Sequence, residues 1–174
     1  MTGQREPLRP NGRPEPSDAD RAAVSAQIGR PPRGQWTVAR RCGCGLPQVI
    51  ETSPRLDDGT PFPTMWWLTC RALNKAAGRL EAGGWMAGFN ERLGAEPELA
   101  AWLARSTTAY VARRDAGSPL PGAERGHPGG GGTCGGRVKC LHAHTAHQLV
   151  SGDNPVGAAV LEELGWADPA SPCL

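Results

Sequence analysis

Polar and apolar positions along the chain alternate between helical and strand periods. Ser17-Asp18-Ala19-Asp20 opens a helical pattern, with Ser17 placed to cap it and Ala22, Val24 and Ile28 as a weak apolar stripe up to about Gly29. Arg30-Pro31-Pro32-Arg33-Gly34 then stops the helix and turns the chain. Trp36–Arg41 and Pro47–Thr52 read as short strands, with Cys42-Gly43-Cys44-Gly45 as a tight turn between them. Asp57-Asp58-Gly59-Thr60-Pro61 is a further turn rather than a carboxylate pair. Met65-Trp66-Trp67-Leu68 is a third strand, apolar enough for burial on both faces, and its tryptophans read as core.

Thr69 is the expected N-cap of the next helix, with Cys70 at its first position and Gly83-Gly84 as its stop. A short helix covers Trp85 to Leu93, and Pro97 starts another. There Leu99, Trp102, Leu103, Ser106 and Tyr110 share one face. Residues 116–136 break every pattern: nine glycines and three prolines mark a flexible loop. Gly129–Gly132 lack the preceding strand and following G-K-S/T of a phosphate loop. A helix is predicted from near Cys140 to near Gly152, and Asn154-Pro155 caps a last one through Leu164. The expected class is α+β, a small antiparallel sheet packed by about five to six helices. It forms a single domain over residues 18–166, with a disordered arm at 1–17 and a tail at 167–174.

Composition narrows the function classes. No apolar run approaches the ~20 residues of a membrane helix, and the polar first twenty residues do not read as a secretory signal. A cytoplasmic protein is expected. Net charge is only +2, which argues against a dedicated nucleic-acid binder. Residues 1–41 carry eight arginines and four acids, so the basic excess is N-terminal and reads as a solvated arm.

Six cysteines in a chain expected in a reducing compartment point to metal binding or thiol chemistry rather than a disulfide framework, with small buried core cysteines and no cofactor as the alternative. Three of the four histidines follow Cys140 within seven positions. On a helix that included Cys140, His144 and His147 would share its face and His142 would point away. Cys140 and Cys70 sit at expected helix starts, where free N–H groups favour a thiolate. Cys42 and Cys44 lie in a glycine turn able to wrap an ion. The expected ligand set is Cys42, Cys70, Cys140 and His147, with Cys44, His142 and His144 as further candidates. His127, Cys134 and Cys173 lie in the loop and tail and are weaker ones. Lys139 beside Cys140 reads as a solvated helix start.

The segments R-C-G-C-G-L-P-Q-V-I-E-T (41–52), D-G-T-P-F-P-T-M-W-W-L-T-C (58–70), R-V-K-C-L-H-A-H-T-A-H (137–147) and G-D-N-P-V-G (152–157) resemble the domain of unknown function 501 family, and I-G-R-P-P-R-G (28–34) fits it too. The resemblance spans roughly residues 20–165. It implies a bacterial, actinobacterial, cytoplasmic protein without an established activity. Its gene neighbourhood, a septum-formation initiator and a polyphosphatase-like phosphatase, implies cell division or phosphate metabolism. The family pattern matches Cys42, Cys70, Cys140, His142 and His147 best, so it favours His142 where helix geometry favours His144.

Three functions follow. The first is a transition-metal protein, with zinc or alternatively an iron–sulfur cluster held by the Cys/His tetrad. The second is a thiol enzyme with Cys70 or Cys140 as nucleophile and His144 or His147 as base. The third is a non-catalytic interaction module, whose arm and Arg30-Pro31-Pro32-Arg33 contact a cell-division partner or nucleic acid.

Overall fold

The structure is a computed structural model that describes residues 12–117 and 131–166. In order, the elements are α1 (Asp18–Ile28), β1 (Trp36–Arg41), β2 (Pro47–Thr52), β3 (Trp66–Leu68), α2 (Arg71–Ala82), α3 (Trp85–Ala95), α4 (Pro97–Gly117), β4 (Thr133–Cys134), β5 (Arg137–Val138), α5 (Leu141–Ser151) and α6 (Pro155–Glu163). The class is α+β. β1, β2 and β3 form an antiparallel sheet in that order, and β4 and β5 form a separate two-stranded ribbon.

β2 lies at the centre of the sheet and is buried along its whole length. Alternation therefore sends its residues into two different layers. Val49 packs with Met65, Trp66, Leu73, Tyr110, Ala146 and Leu149, under α2, α4 and α5. Ile50 packs with Trp36 and Val24, under α1. A third cluster joins α2, α3, α4, α5 and α6 around Ala77, Phe89, Leu103, Leu141 and Val160. The sheet is thus sandwiched between α1 on one face and the helical body on the other.

Polar residues lock the layers. The Glu51 carboxylate is 6% exposed; it accepts from Trp66 Nε1 at 3.0 Å and Arg113 at 3.3 Å, with Arg13 at 3.7 Å. Arg40 of β1 donates to the Leu149 carbonyl in the last turn of α5 at 2.6 Å. Ser17 caps α1 in a capping box with Asp20, whose carboxylate also takes Arg41 of β1 at 2.6 and 2.9 Å.

Three sequence expectations are corrected here. The N-cap of α2 is Cys70, not Thr69: the Thr69 hydroxyl donates to Pro47 O at 3.0 Å, stitching the end of β3 to β2. α5 likewise starts one residue later than Cys140, which is its extended N-cap at φ −151°. The far end of the glycine-rich stretch is ordered into β4 and β5, turning at Gly135-Gly136, both at positive φ. The remainder of that stretch, 118–130, lies outside the described residues, as do residues 1–11 and 167–174.

Candidate metal centre

The displacement of Cys140 from the helix decides which imidazole meets it. In extended backbone the rotation of 100° per residue does not apply, so His142 comes round to the sulfur. The Cys140 Sγ to His142 Nδ1 distance is 4.0 Å. Glu81, in the last turn of α2, completes the group, with Oε1 at 3.1 Å from the same Nδ1. The three ligand atoms lie within 4.8 Å of one another, the one such Cys/His/acid group among the described residues.

Each residue is held by a local reason. A carboxylate at a helix C-terminus opposes the helix dipole. Glu81 is compensated because the α5 N-terminus faces it, and the Leu141 N–H donates to Oε1 at 2.6 Å. His142 Nε2 lies 3.1 Å from the Asn74 carbonyl of α2. A carbonyl only accepts, so Nε2 carries the proton and Nδ1 turns its lone pair toward sulfur and carboxylate. A proton on Nδ1 pairs it with the carboxylate and the sulfur. The Cys140 side chain first, and then the Glu81 charge, hold the imidazole pKa up at about 9 against the opposing effect of burial.

The group opens into a cavity of about 540 Å³. Cys140, His142 and Ala143 line one side of it. Trp67 and Phe62, stacked at 5.2 Å and 9°, line it from β3 and the preceding loop. Arg30 and Arg33 line it from the turn after α1.

The expected tetrad is not gathered. Of Cys42, Cys70, Cys140 and His147, only Cys140 belongs to the group. Cys42 and Cys44 are joined to each other by a disulfide in the β1–β2 turn, with Cα atoms 5.3 Å apart, inside the span a disulfide bridges. The structure pairs them with each other, where the expectation had them as separate thiols, and neither belongs to the Cys140 group. Cys70 is buried in the core beneath β3. Cys134 is exposed on β4, and His127 and Cys173 lie outside the described residues.

His144 and His147 belong to a different network, centred on Asn154. Asn154 Oδ1 accepts from the Gly157 N–H at 2.8 Å, so the oxygen's identity is fixed and His144 Nδ1, at 3.2 Å, must donate to it. The Thr133 hydroxyl then donates to His144 Nε2 at 3.2 Å. Asn154 Nδ2 donates to His147 Nδ1 at 2.9 Å. Burial pushes both imidazoles down to about 4, so they are neutral core residues at physiological pH. Neither is the base beside Cys140. Lys139 and the Asp57-Asp58 turn are exposed, as expected, with Asp58 accepting from the Thr60 N–H at 2.9 Å.

Sequence reasoning missed Glu81. Its one signal was an acid in the last turn of a predicted helix, where the dipole disfavours it.

A thiol and an imidazole at a cavity wall, with a carboxylate beside them, define a small α+β protein with a candidate transition-metal centre. The chain belongs to the family described as protein of unknown function, DUF501, which it matches over residues 38–162. That span contains Glu81, Cys140 and His142 and leaves out α1. Neither a curated protein nor a solved structure matches the chain. No helix among the described residues is long and apolar enough to cross a membrane.

Proposed function

We propose that the protein binds one zinc ion through Cys140, His142 and Glu81, with the fourth position facing the cavity. The observation that carries this is the convergence of Sγ, Nδ1 and Oε1 while Nε2 is anchored to a backbone carbonyl. Metal-bound histidines are oriented in this way, by an outer hydrogen bond on the second nitrogen. Zinc bonds of about 2.3 Å to sulfur and 2.0–2.1 Å to nitrogen or oxygen put neighbouring tetrahedral ligands roughly 3.3–3.6 Å apart. The observed 3.1 and 4.0 Å separations bracket that range. One sulfur suits a single ion better than a cluster, which is normally held by four cysteines. Three protein ligands with a solvent-facing fourth position are the pattern of catalytic rather than structural zinc. The chemistry such a site supplies is hydrolytic, through an activated water.

Metal analysis of the purified, zinc-loaded protein tests this. About one zinc per chain is expected. Cys140→Ser, His142→Gln and Glu81→Gln should each weaken it by more than the roughly 10–100-fold typical of an outer partner. Cys42→Ser and His147→Gln should retain it. Retention in the first three variants, or a wild-type chain that takes up no zinc, ends this reading.

A second reading has its own support: Cys140 is the N-cap of α5, faces the cavity and has an imidazole at 4.0 Å, the setting of a nucleophilic thiol. Iodoacetamide separates the two. Zinc should protect Cys140 while exposed Cys134 continues to react. If zinc has no effect and Cys140 outpaces Cys134, the thiol reading is favoured.

A further inference from the structure

The cavity wall carries two features that zinc does not use. Arg30 and Arg33 are both exposed and both line the cavity, so they stand at its rim. Pro31 and Pro32 between them fix φ and limit how the turn can move. Arg30 makes one long contact, 3.5 Å to the Pro31 carbonyl, which leaves most of its five donors for other partners. Arg33 is close enough to Asp58 to help lower that carboxyl's pKa, behind the hydrogen bonds from Thr60. Two of the wall's three threonine hydroxyls are already committed: Thr52 donates to Thr64 O at 2.8 Å and Thr69 to Pro47 O. The second feature is the slab made by Phe62 and Trp67, two parallel rings that a third flat group can extend.

A cavity of about 540 Å³, mostly apolar with a few charged groups at one end, is of the size that holds small organic ligands (roughly 300–1,000 Å³). Two guanidinium forks at its rim match a phosphate or carboxylate.

We propose that this cavity binds a small organic anion with a flat apolar body, its charged end held by Arg30 and Arg33 and its body against Phe62 and Trp67. This deepens the metal reading, on which it rests for chemistry but not for binding. It names what the open position at Cys140 and His142 meets: a ligand held in the cavity that these two residues also line.

Calorimetry on the full-length, zinc-loaded protein tests it with four probes. 1-Naphthyl phosphate and 1-naphthoate carry both features, 1-naphthol carries only the body, and inorganic phosphate only the charge. A hydrogen bond to a charged group contributes about 1.5–3 kcal/mol, which is roughly ten- to a hundredfold in affinity. At least one naphthyl anion should therefore bind about tenfold or more tighter than either naphthol or phosphate. The tighter of the two anions identifies the head group. Arg30→Gln with Arg33→Gln should bring the anion to the affinity of naphthol, with zinc content unchanged. These arginines are exposed, so the variant keeps its core. Trp67→Leu should weaken naphthol and the anion alike. Equal binding of naphthol and the anions, anion binding untouched by the arginine variant, or no heat from any probe at millimolar concentration overturns the proposal. Cys140→Ser separates the two readings, because it should lose zinc and keep the anion. Anion binding by a chain that takes up no zinc sinks the metal reading alone; zinc without anion binding sinks this one alone.

Discussion

Asn154 shows how much one buried side chain can hold. Its oxygen caps α6 through Gly157 and accepts from His144, and its amide nitrogen supplies the His147 ring. Asn154→Ala removes a helix cap, about 0.5–2 kcal/mol, and leaves buried imidazole nitrogens without partners, about 1–3 kcal/mol each. A loss of about 3 kcal/mol or more is expected by urea unfolding. Asn154→Asp should recover most of the cap but not the donor to His147. The Asn-Pro start of α6 was legible in the sequence because capping is local. The role of the same Asn as the hub of two histidines was not, because Thr133, His144 and His147 converge only after folding. Glu81 is the same case: one of 17 acids, distinguished only by the helix end that packs against it 60 residues later.

At the scale of elements, the ribbon before α5 sets where the candidate ligands stand. Gly132 lies at φ +87°, and a Cβ there would meet the Cys140 carbonyl at 2.5 Å and the His144 ring at 2.9 Å. Its own carbonyl takes the Lys139 N–H at 2.7 Å, closing the ribbon against the helix start. Gly132→Ala therefore costs the roughly 1–3 kcal/mol of a left-handed non-glycine residue and also pushes Cys140 off its position. The expected outcome is a lower melting temperature together with weaker zinc uptake. Gly135→Ala, at positive φ but with open space around it, should show the first effect without the second. Strand and helix limits were legible to within a residue or two wherever a turn or cap residue marked them, as at Arg30–Gly34 and Gly83-Gly84. The ribbon was not legible, since two-residue strands embedded in glycines carry no period. One residue of uncertainty at the start of α5 was enough to exchange His142 for His144 beside the sulfur.

For the whole molecule, the two faces of the sheet are held by groups that titrate in different windows. On the α1 face, Asp20 is lowered to about 2, chiefly by the Arg41 hydrogen bond. A carboxyl lowered on folding stabilises the native state above its unfolded value, and that contribution is lost as pH falls through about 2. On the helical face, His147 is lowered to about 4 by burial. Between pH 6.5 and 4 the unfolded chain binds this proton and the native state does not, so stability falls as pH falls across that interval. At about 1.4 kcal/mol per unit, the loss reaches about 3 kcal/mol for this residue. Acid unfolding should therefore start as a slope below about pH 6.5, well above the range in which carboxylates titrate, and continue below pH 4 as Asp20 takes over from the histidine. Arg41→Ala should reduce only the lower limb. His147→Gln should make the upper limb shallower while the lower one persists, because Asp20 and Arg41 connect α1 to β1 on the far side of the sheet. Urea midpoints at half-unit steps from pH 8 to 2 measure both limbs. A flat wild-type profile between pH 6.5 and 4.5 would show that His147 is protonated in the native state, and with it that the Asn154 network is hydrated rather than sealed.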